Sequence, residues 1–138
     1  PEQVLVPASS EYGISGIMQP TMKFNEGSCD YECNICGQVC PTQAIRPLPL
    51  KEKQKVQAGF AVFNQADCII VKDNVKCKNC VSHCPTKAIK LQDTGGKILP
   101  VIDKDKCIGC GACEYYCPAK PLSAIYVDGY DVQKKLKS

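Results

Sequence analysis

The sequence predicts an α+β fold in which short antiparallel strands carry cysteine-rich loops, with little regular secondary structure. Three observations predict it. Cysteine accounts for 12 of 138 residues, far above ordinary usage. The cysteines fall into three four-membered sets whose first members, Cys29, Cys68 and Cys107, stand 39 residues apart. Between the sets lie short alternating or β-branched runs bounded by glycine and proline, the pattern of strands and turns. A chain of this length forms one domain or two very small ones.

Taken in order, Pro1-Glu-Gln-Val4-Leu5-Val6 places an apolar pair three residues after a proline. The same phrase follows the Cys-Pro pairs downstream, which predicts a cysteine immediately before Pro1 and a first half-motif lying outside this sequence; a proline left by processing is the alternative. Residues 7–22 show no clean period and read as an ordered connecting loop. After Pro47-Leu-Pro49, the charged stretch from Leu50 to Gln57 suits one or two helical turns. Strands are expected at Phe60–Phe63, Ala88–Leu91, Lys97–Ile102 and Ala124–Val127, with Thr94-Gly95-Gly96-Lys97 as a hairpin turn between the second and third. The division that follows is a connecting segment, 1–28, and a tandem domain, 29–138, whose half-motifs are 29–41, 68–85 and 107–118.

The half-motifs repeat beyond their cysteines. They read Cys29-x3-Cys33-x2-Cys36-x3-Cys40-Pro41, Cys68-x8-Cys77-x2-Cys80-x3-Cys84-Pro85 and Cys107-x2-Cys110-x2-Cys113-x3-Cys117-Pro118. Ahead of each first cysteine stands an apolar residue followed by a short polar one: Phe24-Asn25, Phe63-Asn64 and Ile102-Asp103. Behind the first two Cys-Pro pairs comes Thr-x-Ala-Ile, at 42–45 and 86–89, with a looser Ser123-Ala124-Ile125 after the third. Chance spacing of cysteines does not repeat its flanks.

The third set carries the chemistry most plainly. C-x2-C-x2-C-x3-C-P is the spacing that holds cubane iron–sulfur clusters in bacterial ferredoxins, three thiolates on one cluster and the fourth on a neighbour. Gly109 and Gly111 permit the backbone angles of a loop wrapped around a cubane, and such loops turn amides inward toward negative sulfurs. Two other chemistries compete. Disulfides suit small secreted chains, yet pairs as close as C-x2-C are better metal clamps than structural bridges. Zinc ribbons take four ligands from two pairs and do not call for a three-cysteine run closed by Cys-Pro. Iron–sulfur is the stronger reading, with all twelve cysteines as candidate ligands, and a chain this small then needs its clusters to fold.

On these residues, with the extended gap from Cys68 to Cys77 and Ser82-His83-Cys84-Pro85, the chain resembles the polyferredoxin family with four ferredoxin half-motifs. That family includes the ferredoxin-type proteins accompanying membrane nitrate-reductase electron chains. The resemblance is closer still to multi-cluster membrane-associated ferredoxins whose second motif reads C-x3-C-x2-C-G-x-V-C-P, as Cys29 to Pro41 does. It implies a ferredoxin-like iron–sulfur fold and [4Fe-4S] cofactors. It also implies nested pairing: Cys29, Cys33, Cys36 with Cys84, and Cys68, Cys77, Cys80 with Cys40. Cys107, Cys110 and Cys113 then lack a fourth ligand and Cys117 is left over, so two clusters are well ligated and a third is open to loss, a three-iron form or rewiring. The competing arrangement is that of an ordinary two-cluster ferredoxin: Cys68, Cys77, Cys80 with Cys117, and Cys107, Cys110, Cys113 with Cys84. It leaves Cys29, Cys33, Cys36 and Cys40 to close on one cubane.

His83 is the single histidine; packing or exposure is its ordinary role, since histidine-ligated Rieske centres use two on another cluster type. Tyr115 or Tyr116 is expected to shield a cluster from water. Lys134-Lys135-Leu-Lys137 reads as a solvated end more than a docking site for an acidic partner. The formal charge of +3 becomes roughly −1 to −3 once two or three cubanes at about −2 each are counted, so the lysines compensate cluster charge and no nucleic-acid partner is needed. No apolar run is long enough to span a bilayer. No triad, phosphate loop or dinucleotide fingerprint is present. The expected function is electron transfer between redox donor and acceptor proteins, as a non-catalytic module of a membrane-linked oxidoreductase, cytoplasmic and membrane-associated through its parent (alternatively periplasmic). An iron–sulfur redox or oxygen sensor and a structural zinc protein are the alternatives.

Overall fold

The computed structural model describes residues 3–136. Its elements are three two-stranded antiparallel sheets, five one-turn α-helices and two short 3-10 turns, Ile14–Gly16 and Gln65–Asp67. β1 (Leu5–Pro7) pairs with β2 (Pro20–Met22) in the register Leu5 to Met22. α1 (Ile35–Val39) and α2 (Leu50–Lys53) follow, then the long β3 (Val56–Phe63). After α3 (Ile69–Lys72) and α4 (Asn79–Ser82) comes the hairpin of β4 (Ile89–Thr94) and β5 (Lys97–Ile102). α5 (Ala112–Tyr115) leads to β6 (Ile125–Lys135), which returns to pair with β3.

The β4–β5 turn is where the sequence places it. Gly95 and Gly96 take φ values of 67° and 86°, the left-handed pair that a tight hairpin turn demands, and the Gly96 N–H donates to Asp93 Oδ1 at 2.9 Å. Two expectations need correction. Residues 7–22 are not only a connecting loop, because their ends form the β1–β2 ladder. The helix after Pro49 ends at Lys53, and Val56 and Gln57 belong to β3. β6 continues to Lys135, and Lys134 and Lys135 are paired opposite Gln57 and Val56 with their side chains exposed. Pro1 and Lys137 lie outside the described residues.

The core is small and partly made of sulfur. Ala61, Ala88, Ile89 and Ile125 are buried with Cys107 and Cys113, and Phe60, Phe63 and Ile102 pack against them. Alanines here let strands and cysteine loops approach closely; Ala88 is wholly buried and Ala61 nearly so. A second buried group joins Cys68, Ala119 and Ala124. Apolar burial at roughly 25 cal/mol per Å² has little side chain to act on in such a core, so the loops depend on what their thiols hold.

Two hydrogen bonds show how the sheets place the cysteines. Asp103 N–H donates to Ala88 carbonyl at 2.7 Å, closing the β4–β5 hairpin so that the segment after Cys84 lies beside the one before Cys107. Asn64 N–H donates to Ala124 carbonyl at 2.8 Å, where β3 and β6 meet, bringing the segment after Cys117 to the one before Cys68.

Candidate functional site

Each half-motif builds the same local object. The third cysteine of every set sits in a one-turn helix: Cys36 in α1, Cys80 in α4 and Cys113 in α5. Asn34 and Lys78 enter their helices with nearly the same backbone, φ −133°, ψ 19° and φ −142°, ψ 15°. The third set uses Gly111 at φ 77° instead. A Cβ at Gly111 would meet the Phe24 ring at 1.9 Å, and one at Gly109 (φ 71°) would meet the Gly59 backbone at 2.6 Å. Both glycines are thus required by close approach as well as by conformation.

The repeated flanks also have causes. The side chain of Asn64 accepts from the Ala66 N–H and Asp103 Oδ1 from the Asp105 N–H, both at 3.2 Å, so the short polar residue makes an Asx turn into the cysteine loop. The apolar residue before it packs inward: Phe24 is buried, and Phe63 and Ile102 pack on the core. In the Cys-Pro-Thr phrase the threonine hydroxyl lies 3.6 Å from Cys40 Sγ and 3.7 Å from Cys84 Sγ. Gln43 and Lys87 then take the same left-handed φ of 55° and 53°.

The fold groups the thiols as follows. Cys68, Cys77, Cys80 and Cys117 line one cavity with an apolar wall that includes Phe63, Ile69, Ile70 and Pro118. Burial raises the Cys80 thiol to about 11, and Cys77, Cys117 and Cys68 are near enough to oppose its ionisation further. Cys68 is likewise raised, by burial first and then by Cys77 and Cys117, against the N–H groups of Ile70 and Val71 that favour its thiolate. Cys107, Cys110, Cys113 and Cys84 form the second group. Burial pushes Cys110 up to about 11 and Cys113 higher still, with Cys84 and Cys107 among the thiols acting on both. Ala61 N–H donates to Cys107 Sγ at 3.3 Å in the interior, and the Ala112 N–H favours the thiolate of Cys110. Cys80 also acts on Cys113, so the two groups adjoin.

Cys29, Cys33 and Cys36 make a third group of three. Burial raises Cys29, Lys53 opposes that rise, and Cys36 and Cys33 add to it. This group touches the second, since Cys29 N–H donates to Cys110 carbonyl at 2.8 Å. Cys40 is half-buried, and its thiol is lowered by the N–H of Ile45 and by Thr42, within its own turn.

The nested arrangement is therefore not the one the fold adopts. Cys84 stands with the Cys107 set and Cys117, expected to be left over, stands with the Cys68 set. The hairpin and the β3–β6 ladder impose this, because each joins the third half-motif to the second at both ends. The competing arrangement describes these two groups; Cys40, the fourth thiol it assigns to the first set, interacts with Ile45 and Thr42 in its own turn.

His83 takes its ordinary role. It is exposed, stacks on Tyr116 with ring centroids 3.8 Å apart and holds the Asn79 carbonyl through Nδ1 at 2.9 Å. Tyr115 and Tyr116 are both exposed, and neither is in the apolar wall of the Cys68 cavity. Sequence reasoning missed three contributors. Gln57 is buried and its Nε2 donates to the carbonyls of Lys104 (2.7 Å) and Cys107 (2.6 Å). Lys53 reaches the Cys29 loop, donating to the Asp30 carbonyl. The Ala61 amide serves Cys107. None leaves a sequence signal, because each acts across more than twenty residues.

The donor set fits an iron–sulfur cluster. Each four-thiol group draws three sulfurs from one loop and one from another, offers soft donors alone, and has backbone N–H groups directed at its sulfurs. Among the described residues no three of His, Cys, Asp or Glu converge on a single metal-ion position; the Cys68 thiols ring a space instead.

Comparison with known proteins agrees. Residues 75–120 match the family model of the 4Fe-4S dicluster domain. The chain is similar to the ferredoxin-type protein NapF of Escherichia coli, 28% identical over 112 residues that cover 80% of this chain and 64% of that one. It is also similar to the methylamine utilization ferredoxin-type protein MauM of Methylobacillus flagellatus, 33% identical over 99 residues, 64% of this chain and 42% of the relative. An uncharacterized ferredoxin of Methanocaldococcus jannaschii is 38% identical over 100 residues, 70% and 49% of the two chains. The chain thus spans under two thirds of the length of these relatives. No solved structure matches it. Residues 75–120 carry a ferredoxin-type 4Fe-4S dicluster domain, and [4Fe-4S] clusters are its cofactors.

Proposed function

We propose that this ferredoxin-type chain is a one-electron carrier, a non-catalytic module of an oxidoreductase chain with a ferredoxin-like iron–sulfur fold over residues 29–138 and a connecting segment over 1–28. The observation that carries the reading is the exchange of fourth cysteines: Cys117 lies with Cys68, Cys77 and Cys80, and Cys84 with Cys107, Cys110 and Cys113. Those two sets would each hold a cubane, and Cys29, Cys33 and Cys36 offer three thiols for a third. When bound, fully cysteine-ligated cubanes supply reversible one-electron storage and no open iron for a substrate.

The chain's own residues do the rest. The loops fix each set of sulfurs; the amides of Ala61, Ile70, Val71 and Ala112 favour their negative charge; and the wall of Phe63, Ile69 and Ile70 keeps water from one set. The bond from Cys29 N–H to the Cys110 carbonyl, and the packing of Cys80 and Cys84 against the cluster of Cys107 and Cys113, set the Cys107 group beside each of the other two. Redox proteins would serve as donor and acceptor. Among the described residues no helix is long and apolar enough to cross a membrane. The cytoplasmic side, in association with a membrane complex, is the location this reading assigns.

The three-thiol Cys29 set favours a second reading, a redox or oxygen sensor that sheds iron. Anaerobic iron and acid-labile sulfide counts through repeated cycles of reduction and oxidation separate the two. A carrier keeps a constant count; a sensor loses iron or changes shape with each cycle.

A further inference from the structure

The Cys29 loop is held by a lysine and a glutamine side chain acting together. Pro49 opens α2, with its carbonyl accepting from the N–H groups of Glu52 and Lys53, both at 2.9 Å. This single turn aims two consecutive side chains at one stretch of loop. Lys53 Nζ donates to the Asp30 carbonyl, and Gln54 Nε2 donates to the Tyr31 carbonyl at 3.4 Å. The Cys29 thiol points to the same Asp30 carbonyl, at 3.8 Å. Ammonium and sulfur therefore converge on one oxygen. The backbone of Cys29 is anchored from its other side by the bond from its N–H to the Cys110 carbonyl.

Lys53 is half-buried, and among the described residues no carboxylate pairs with it; the ion pairs present are Lys23–Glu11, Lys72–Asp67 and Lys106–Asp103. Around Cys68, Cys80, Cys110 and Cys113 the groups with most influence are burial, backbone N–H groups and other thiols. At Cys29 a full cation joins them. Reduction adds a negative charge to whatever the sulfurs hold, and a cation close by, partly out of solvent, favours the reduced form more than distant, screened charges do.

We propose that Lys53 is a positioning residue that sets the reduction potential of the iron–sulfur group held by Cys29, Cys33 and Cys36, keeping it more positive than that group would be without the ammonium. This rests on the reading above that these three thiols hold such a group. The bland alternative is that Lys53 only pins the loop through the Asp30 carbonyl, and Lys53→Gln discriminates: it keeps an N–H donor and drops the charge.

The test is an anaerobic redox titration of the reconstituted full chain, followed by electron paramagnetic resonance, with Cys33→Ser identifying the signal of the Cys29 set. Lys53→Gln and Lys53→Met are expected to leave that signal about tenfold less reduced at a fixed potential, about 59 mV for a one-electron couple. Lys53→Arg is expected to restore it, and the other signals are expected to hold still. Wild-type behaviour in Lys53→Gln overturns the proposal in favour of loop pinning, as does an equal shift of every signal. Loss of neither iron nor signal in Cys33→Ser refutes the underlying reading of the Cys29 set, and the role of Lys53 with it.

Discussion

Adding one methyl group at Gly109 offers a quantitative test of how tightly the Cys107 loop is seated. Gly109 has φ 71°, and a Cβ there would lie 2.6 Å from Gly59 N and 2.8 Å from its carbonyl carbon and oxygen. The conformation alone costs an alanine roughly 1–2 kcal/mol. The contact adds to this, because the obstacle is the backbone of β3, well inside the ~3.5–4.0 Å at which carbon atoms attract; overpacking of this kind costs roughly 1–3 kcal/mol. Gly95→Ala is the internal control. It has φ 67° with nothing within 4 Å of its Cβ, so it carries the conformational cost without the collision. Guanidinium unfolding under anaerobic conditions, followed by cluster absorbance, should place Gly109→Ala below Gly95→Ala by roughly 1–3 kcal/mol and lower its iron content after reconstitution. Equal midpoints and equal iron for the two variants would refute the seating of the loop on β3.

Two further outcomes are expected. Gln57→Leu strands the carbonyls of Lys104 and Cys107, which Gln57 Nε2 now satisfies; buried acceptors left without partners cost about 1–3 kcal/mol, and the loss should appear as a lower unfolding midpoint with no new signal in resonance spectra. Stripping iron with a chelator should abolish most of the ordered structure, read by far-ultraviolet circular dichroism and amide exchange, because the core leaves much of the folding free energy to the clusters; a well-ordered iron-free chain would contradict this.

What was legible in the sequence was local. The Thr94–Lys97 turn shows itself because two consecutive glycines serve left-handed angles, and the cysteine sets show themselves because three sulfurs on one loop need fixed spacing. The Asx turns and the Cys-Pro-Thr phrase are visible as repeated words because each contact closes within two residues. The pairing of distant segments was not legible. β3 begins at Val56 within a lysine- and glutamine-rich stretch that reads as helix, yet its partner β6 reaches it and converts alternation into a ladder. β6 itself runs on through Asp128, Gly129 and Asp131, residues poor in strand propensity, because it lies against β3 on one edge and solvent elsewhere. β1 and β2 are three residues each, too short for any period. The exchange of Cys84 and Cys117 depends on these ladders, so cysteine spacing alone left nested and crossed pairing both open.

The central claim is that each of two clusters takes its fourth ligand from the other's half-motif, and paired substitutions measure it directly. Cys84→Ser and Cys113→Ser should each remove or alter the same resonance signal, the double variant adding nothing further, while Cys117→Ser and Cys80→Ser act together on the other. If Cys84→Ser instead shares its signal with Cys33→Ser, or Cys80→Ser with Cys40→Ser, the pairing described for this fold is wrong.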